Sequence, residues 1–301
     1  MGCRFDIKKR NDLVKLALGT VQFGLPYGVS NHAGQTPQHE AGRIVELARS
    51  SGISFLDTAM AYGNSEARLG KIGVDSFKVV TKLQALPENC LEPKKWAEEQ
   101  VQGSLQRLRQ NRLYGLLLHN PAQLLASNGH ELFAVLAELK ERGLVERVGI
   151  SIYSPSELDA ILPLYPVDLV QAPFNPIDRR LIDSGWLKKL HSSGIEIHVR
   201  SVFLQGLLLM PLDRIPAKFS QWSTLWQKWH DWLHQTKISP QAACLAFANS
   251  MPEIDQIIVG VESHQQLKEL LDAMKLPSPA SFPAIESNDF ELINPSYWNK
   301  L

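Results

Sequence analysis

The chain has 301 residues, of which 44% are apolar and 21% are charged, so it can bury a large core. Its 31 basic residues balance its 31 acidic residues, and the lack of a basic surplus argues against nucleic acid or acidic membranes as partners. The three cysteines (Cys3, Cys90 and Cys244) lie far apart without a CxxC pair, which argues against a disulfide framework and a structural zinc site.

The N-terminal sequence MGCRFDIKKRND is polar and lacks the apolar core of a signal peptide. It also lacks the Ser or Thr at the sixth position that myristoylation requires. No run of about 18 consecutive apolar residues, the length of a membrane span, occurs in the chain. We therefore expect a cytoplasmic protein.

Eight short apolar runs follow along the chain. Their lack of strict alternation is typical of parallel strands that are buried on both faces. The runs are LALGT (16–20), ISFLD (53–57), KVVTK (78–82), YGLLLH (114–119), ERVGIS (146–151), DLVQA (168–172), IEIHV (195–199) and QIIVG (256–260).

Segments with helical spacing lie between these runs. Apolar stripes occur within residues 41–48, 97–108, 132–139 and 267–274, and each gives a helix one face to lay against a sheet. Helix starts are indicated by two cap-and-proline pairs and by two capping boxes. The pairs are Thr36-Pro37 and Ser239-Pro240, and the boxes are Ser154 with Glu157 and Ser263 with Gln266.

Strand followed by helix, repeated eight times, predicts a parallel α/β sheet with right-handed crossovers. Eight units favour closure into a (β/α)8 TIM barrel, as a single domain over residues 1–301, and no GxGxxG motif supports an open Rossmann sheet. The segment 205–237 carries Trp222, Trp226 and Trp229 at helical spacing. It predicts an inserted helix over the barrel mouth, and residues 277–301 predict an irregular tail.

Active sites of such barrels lie where the strands end, so reactive side chains at those points are candidates. Asp57 ends the second strand and Tyr62 follows in its loop, Lys82 ends the third strand and His119 ends the fourth. The next three strands end near Ser151, near Gln171 and Asn175, and near Arg200 and Ser201.

Together these side chains suggest proton donation to a carbonyl oxygen. The reference pKa of a phenol lies near 10, too high for an efficient acid near neutrality, and the ammonium of Lys82 would lower the pKa of Tyr62. Asp57 can pair with Lys82, and His119 can hydrogen-bond a substrate oxygen. The set contains no obvious nucleophile and no metal triad.

The sequence resembles the aldo-keto reductase family over nearly its whole length. FLDTAMAYGNSEARLG resembles the DTAxxYGxxExxLG signature and contains Asp57 and Tyr62, whereas LALGTVQFG resembles the opening strand. VVTK and LLLHN place Lys82 and His119 where the family has its Lys and His. The resemblance implies a metal-free oxidoreductase that transfers hydride between a nicotinamide cofactor and an aldehyde, ketone or sugar carbonyl, with Tyr62 as the general acid.

The resemblance also implies NADP(H) as the cofactor, with NAD(H) as the alternative, bound extended across the barrel mouth. Residues matching Ser151 and Gln171 hold the carboxamide in related proteins, and the start of the last helix at Ser263 is a sensible anion site. The cofactor-binding residues implied in this way are Gly19, Thr20, Asp57, Ser151, Gln171, Arg200, Ser201, Phe203, Gln205, Gly206, Gly260, Ser263, Gln266 and Glu269.

Four positions depart from the family pattern. Ile152 replaces the Asn of many relatives, so one carboxamide hydrogen bond is expected to be missing. Arg200 replaces an aromatic residue that stacks on the nicotinamide; a guanidinium can also stack, and we hypothesise that its charge promotes release of oxidised cofactor. Gly260 and Gln266 stand where NADPH-dependent relatives often have Lys and Arg, and a lost Arg–phosphate contact weakens binding of the 2′-phosphate.

Other interpretations stay open at this point. A second class of function is a non-catalytic regulatory subunit or sensor that binds the cofactor, and a third is an aldolase that forms a Schiff base at Lys82. His230 and His234 have the i, i+4 spacing that can hold zinc, but no third ligand is evident and a solvated helix face is the simpler interpretation. Phe23 and the Trp-bearing insertion suggest an apolar wall for a small-molecule carbonyl substrate.

Overall fold

Eight parallel strands close into a barrel in a computed structural model of the chain, which describes residues 15–31, 33–88 and 90–300. The strands pair in sequence order, and β1 closes the ring by pairing with β8, Leu16 opposite Ile257 and Gly19 opposite Gly260. The predicted (β/α)8 barrel is therefore confirmed. The N-terminal segment on which the leader and myristoylation expectations rest, including Cys3, lies outside the described residues.

The strands coincide with the eight apolar runs to within a few residues. They are β1 (Leu16–Gly19), β2 (Phe55–Asp57), β3 (Lys78–Leu83), β4 (Leu113–Leu118), β5 (Val145–Ser151), β6 (Leu169–Pro173), β7 (Glu196–Arg200) and β8 (Gln256–Gly260). Side chains of alternating strand positions fill the barrel interior, among them Phe55, Leu117 and Ile258. The others pack outward against the helices, which explains why these strands are apolar on both faces.

The helices surround the barrel and connect its strands. They are α1 (Val21–Gly24), α2 (Gln38–Ser50), α3 (Ser65–Ile72), α4 (Pro93–Leu108), α5 (Gly129–Glu141), α6 (Ser156–Ile161), α7 (Arg180–Asp183), α8 (Trp186–Ser192), α9 (Ser223–Thr236), α10 (Pro240–Asn249), α11 (His264–Ala273) and α12 (Phe290–Ile293). The predicted stripes of α2, α4 and α5 are buried. That of α11 is buried at Leu267 and Leu270 but only half-buried at its C-terminal end.

The predicted helix caps have different outcomes. Ser239 and Ser263 each accept a hydrogen bond from the third following backbone N–H, as predicted. The Glu157 side chain accepts a hydrogen bond from the backbone N–H of Ser154. This is one of the two hydrogen bonds of the predicted capping box. The Thr36 cap is wrong: Pro37 is extended and α2 begins only at Gln38, so the Thr36 hydroxyl has no hydrogen-bond partner within the described chain.

Polar side chains also occupy the opposite, N-terminal end of the barrel, where apolar strand residues were expected. The Tyr114 hydroxyl donates to Glu196 Oε2 at 2.6 Å, and the His198 ring lies 2.7 Å from Glu196 Oε1. Burial opposes ionisation of Glu196, but His198 and Tyr114 outweigh it and lower its pKa. Because these groups satisfy one another far from the strand ends that form the active-site mouth, we interpret them as a structural plug.

The insertion consists of 3-10 turns (Leu204–Leu209, Leu212–Arg214 and Ala217–Trp222) followed by α9. Its tryptophans pack within the insertion: Trp229 Nε1 donates to Leu208 O at 3.1 Å and Trp226 Nε1 to Phe219 O at 3.0 Å. The C-terminal segment contains α12 and a 3-10 turn, and its Trp298 packs edge-on against Phe219. The Trp298 contact ties the insertion to the C-terminal segment.

No helix in the described ranges is long and apolar enough to cross a membrane. Within the same residues, no group of three or more His, Cys, Asp or Glu side chains is arranged to hold a metal ion. His230 is half-buried on α9, and burial lowers its pKa. The helix face that carries His230 is therefore less exposed to solvent than the sequence analysis expected. Cys90 and Cys244 are free thiols, and Cys244 is fully buried.

Candidate active site

A cavity of about 500 Å³ opens at the carboxyl ends of the strands, within the size range of small-molecule and cofactor sites. Fifteen of the predicted catalytic and cofactor-binding residues line it, namely Gly19, Thr20, Asp57, Tyr62, Lys82, His119, Ser151, Arg200, Ser201, Phe203, Gln205, Gly206, Gly260, Gln266 and Glu269. The predicted residues Gln171 and Ser263 do not line it.

The apolar part of this lining comes from residues other than Phe23 and the three tryptophans, among them Val21, Phe203 and Leu209. Phe23 is fully buried in the core outside the barrel, and none of Trp222, Trp226 and Trp229 borders the cavity. Phe23, Trp226 and Trp229 pack in the core, and the insertion contributes the apolar side chain of Leu209 to the lining. Tyr27 and Tyr153, which the sequence analysis did not single out, line the cavity instead.

Lys82 and Asp57 form a buried ion pair at the base of the cavity. Lys82 Nζ donates to Asp57 Oδ1 at 2.7 Å, to Asp57 Oδ2 at 2.9 Å and to Thr58 O at 2.9 Å. These bonds occupy all the hydrogens of an ammonium group. Burial lowers the pKa of Lys82, and the Asp57 carboxylate opposes that shift.

Tyr62 lies beside this pair. Lys82 Nζ is 5.2 Å from the centroid of the Tyr62 ring, and within the described chain the Tyr62 hydroxyl makes no hydrogen bond. Burial raises the pKa of Tyr62, the Asp57 carboxylate raises it further, and Arg200 opposes them. The expected lowering of the Tyr62 pKa is not found, because burial and the Asp57 carboxylate outweigh the opposing charge of Arg200. The Tyr62 hydroxyl is therefore protonated near neutral pH.

His119 faces Tyr62 edge-on, with 6.0 Å between the ring centroids. Burial lowers the pKa of His119 to about 4, and the positive charges of Lys82 and Arg200 contribute in the same direction. The ring is therefore neutral near pH 7, with one N–H that can donate to a substrate oxygen and one nitrogen that can accept.

The Tyr62 loop is packed tightly against α1. A β-carbon at Gly24 would lie 1.7 Å from Tyr62 O, and one at Gly63 would lie 2.5 Å from Gly24 O. Gly63 also has a φ of +53°, in the left-handed region that favours glycine. The loop therefore needs glycine at both positions to bring Tyr62 to the cavity.

Glu66, the acidic residue of the signature, is buried behind this loop. It accepts hydrogen bonds from Thr81 Oγ1 at 2.7 Å, Ser104 Oγ at 2.7 Å and Arg107 Nε at 2.8 Å. These contacts tie α3 to β3 and α4. Glu66 does not border the cavity, so its place in the motif has a structural explanation.

A hydrogen-bonded chain connects Ser151 to the ion pair. Ser151 Oγ donates to Gln171 Oε1 at 3.1 Å, and Gln171 Nε2 donates to Asp57 Oδ2 at 2.7 Å. Gln171 is fully buried behind Asp57, so its side chain serves the carboxylate here. Ser151 remains on the lining and can contact a ligand directly.

Arg200 and Tyr153 form a second charged feature of the cavity. The Arg200 guanidinium carbon lies 4.7 Å from the centroid of the Tyr153 ring. Its nitrogens donate to Ile152 O at 3.0 Å and to Ser201 Oγ at 3.2 Å. Tyr153 comes two residues after β5. A search for reactive side chains just beyond the strand ends could therefore have identified it.

Two loops meet across the cavity rim. Val29 N donates to Gln205 O and Gln205 Nε2 donates to Tyr27 Oη, both at 3.0 Å. Leu204, Gln205 and Gly206 all have positive φ values, so the loop after β7 turns sharply toward the loop after β1. Local sequence carries no signal for this contact, because it depends on where the two loops end in space.

The far end of the cavity is formed by β8 and α11. Gly260, Gln266 and Glu269 line it, and Ser263 is used to cap α11. Glu40 accepts from the backbone N–H of His264 at 2.7 Å, so a carboxylate already occupies the expected anion site at this helix start. Among the described residues, the only Lys and Arg on the lining are Lys82 and Arg200, both at the catalytic end.

Residues 15–287 match the family model described as the aldo/keto reductase family. Among curated proteins, an uncharacterized oxidoreductase of Bacillus subtilis, YqkF, is 24% identical over 282 residues, covering 87% of each chain. An aldo-keto reductase of Mycobacterium sp. (strain JLS) is 27% identical over 267 residues, covering 82% of this chain and 91% of the relative. The solved structure of aldo-keto reductase AKR11C1 from Bacillus halodurans superposes with a TM-score of 0.69 at 20% identity, covering 88% of each chain.

Proposed function

Because the chain belongs to the aldo/keto reductase family, we propose that it transfers hydride between NADPH or NADH and the carbonyl of a small aldehyde, ketone or sugar. The observation that carries this proposal is the convergence of Tyr62, His119 and the Asp57–Lys82 pair on one cavity. These four residues come from three different strand ends and their loops, so a shared site explains their placement better than independent structural roles.

In the proposed mechanism, the neutral ring of His119 donates a hydrogen bond to the carbonyl oxygen and orients it beside Tyr62. When bound, the reduced cofactor supplies the hydride that adds to the carbonyl carbon. Tyr62 transfers its phenolic proton to the oxygen, which yields an alcohol. Lys82 then lies beside the phenolate that remains and stabilises its negative charge, while Asp57 holds Lys82 in place.

The cavity suits a nicotinamide cofactor at several points. Gly19 and Gly260 pair across β1 and β8 and line the cavity, where the Gln22 amide lies over Gly260. The Ser151 hydroxyl is suited to hold the carboxamide, and residues from Ser201 to Gly206 are suited to hold the pyrophosphate. We propose that these residues, with those of the β8–α11 end, form the cofactor site.

The choice between NADP(H) and NAD(H) is decided at the β8–α11 end if the nicotinamide lies at Tyr62. The family resemblance favours NADP(H), whereas the residues at this end favour NAD(H). Glu269 lines it, Glu40 occupies the helix start, and both would repel a 2′-phosphate. Arg43 is near but largely exposed, does not line the cavity and bonds to His264. We therefore propose that NADH binds at least as tightly as NADPH.

Parallel fluorescence titrations with NADH and NADPH test the cofactor choice. Gln266→Arg should tighten NADPH binding and leave NADH binding nearly unchanged, because a guanidinium there would pair with the 2′-phosphate. Arg142→Leu, which removes an exposed cation just after α5, controls for an effect of net charge alone. NADPH binding that is much tighter than NADH binding in the wild type, and is lost in Arg43→Ala, would show that Arg43 recognises the phosphate.

Reduction of 4-nitrobenzaldehyde tests the activity itself. Tyr62→Phe should lower kcat by about a hundredfold or more and leave the cofactor Kd nearly unchanged. Cofactor binding without turnover of any aldehyde, ketone or sugar in a broad panel would favour the sensor. Covalent trapping by borohydride at Lys82 without cofactor would favour the aldolase.

A further inference from the structure

The main chain of Tyr153 is fixed on both sides. Its N–H donates to Glu157 Oε1 at 3.2 Å, and its carbonyl accepts from Arg180 Nη2 at 2.9 Å. Arg180 is in turn held by Asp178 through two hydrogen bonds of 2.8 Å, and the Asp178 side chain is almost wholly buried. Tyr153 therefore sits on a rigid support although it follows the end of a strand.

The Arg200 guanidinium is fixed against this support. Its central carbon lies over the Tyr153 ring, and the Ile152 carbonyl and the Ser201 hydroxyl accept hydrogen bonds from its nitrogens. A planar guanidinium held in this way presents its other face as a flat surface. Because Arg200 borders the cavity that contains Tyr62 and His119, that face is suited to a planar ring.

The charge of Arg200 reaches the catalytic end. The positive charge of Arg200 opposes the rise in the pKa of Tyr62 and contributes to the fall in the pKa of His119. Within the described chain, no carboxylate is bonded to Arg200 to cancel this charge. Oxidised nicotinamide carries a positive charge and reduced nicotinamide is neutral, so a cation beside the ring repels only the oxidised form.

We infer that Tyr153 is a positioning residue that holds Arg200 flat against the nicotinamide ring, so that the site binds reduced cofactor in preference to oxidised cofactor. This inference rests on the proposed function and adds a direction to it. An enzyme that releases oxidised cofactor readily is suited to carbonyl reduction. Tyr153 acts only through Arg200, and its hydroxyl is not required for the stack.

The test is a set of equilibrium titrations with the reduced and oxidised forms of whichever cofactor binds more tightly, read by protein fluorescence or calorimetry. We expect the wild type to bind the reduced form at least about tenfold more tightly, a difference of about 1.4 kcal/mol. Arg200→Leu should bring the two Kd values close together, mainly by tightening oxidised cofactor. Arg142→Leu removes an exposed cation just after α5 and should leave the ratio unchanged.

Two Tyr153 variants distinguish positioning from general structural support. Tyr153→Phe keeps the ring and should keep the wild-type ratio of Kd values. Tyr153→Leu removes the ring and should reduce the ratio, with Tm measured alongside to show that the variant is folded. If Tyr153→Leu does not fold, Arg200→Leu and Tyr153→Phe still test the inference.

Four results would overturn the inference. These are equal affinity of the wild type for both redox forms, an unchanged ratio in Arg200→Leu, an unchanged ratio in folded Tyr153→Leu, and a ratio lost in Tyr153→Phe. If the wild type reduces 4-nitrobenzaldehyde and still gives one of these results, only this inference fails. If the wild type binds neither redox form, the proposed function fails as well.

Discussion

The α-carbon of Gly24 faces the carbonyl oxygen of Tyr62 so closely that a β-carbon at position 24 would lie 1.7 Å from that oxygen. Tyr62, the general acid of the proposed reaction, is thus placed by its contact with Gly24 at the end of α1. Its position depends on the absence of one methyl group as much as on its own sequence motif.

Gly24→Ala should displace the Tyr62 loop and lower kcat by about a hundredfold, since a misplacement of about 1 Å has an effect of that size. Gly42→Ala is a matched control, because Gly42 lies in α2 with nothing within 4 Å of an added β-carbon. Steady-state kinetics and urea unfolding of both variants measure the effect. Full activity in Gly24→Ala would contradict this account of the loop.

The Asp57–Lys82 pair should show strong coupling in stability. Lys82→Met leaves the Asp57 carboxylate buried without its cation and should lower the free energy of unfolding by about 3–5 kcal/mol. The double variant Asp57→Asn with Lys82→Met removes both charges and should recover part of that loss. Urea unfolding of the two single variants and the double variant measures the coupling; additive losses would show that the pair is not a unit.

His119 should make stability depend on pH. Its pKa is about 4 in the folded chain against an ordinary value of 6.5, so the unfolded chain takes up the proton first as pH falls. The resulting stabilisation is full above about pH 6.5, declines as pH falls, and is lost below about pH 4. His119→Gln should remove this component from the pH dependence of the unfolding free energy.

His191→Gln, an exposed histidine on α8, is the control for that measurement and should retain the wild-type pH profile. An identical profile in His119→Gln and the wild type would mean that the His119 ring does not stay neutral in the folded protein.

Glu66 should matter for stability and little for chemistry. Glu66→Gln cannot accept all three hydrogen bonds from Thr81, Ser104 and Arg107, and we expect a loss of about 2 kcal/mol, the scale of a hydrogen bond to a charged group. Glu46→Gln breaks only an exposed ion pair with Arg49 and should change stability little. Thermal unfolding compares the two variants. A large fall in kcat without loss of stability in Glu66→Gln would assign Glu66 a direct role.

The eight strands and the buried stripes of α2, α4 and α5 could be predicted from sequence, because apolar periodicity is a local pattern that burial makes obligatory. The catalytic candidates could be predicted for the same reason: Asp57, Lys82 and His119 stand where an apolar run stops. The barrel topology then brings those points together, whatever the loops do.

Only the tertiary structure decided what surrounds them. Thr36 looked like a helix cap, but Pro37 is extended and the helix starts one residue later. The Trp-bearing insertion looked like a cavity wall, but Trp226 and Trp229 are buried within it, and Leu209 is the apolar side chain that it contributes to the lining. Lys82 looked like the group that acidifies Tyr62, but Asp57 takes its hydrogen bonds and burial raises the pKa of Tyr62. Each of these outcomes depends on contacts between residues distant in sequence, such as Gly24 with Tyr62 and Tyr153 with Arg200. Local pattern determines which residues reach the strand ends, and packing determines what charge, neighbours and protonation they have there.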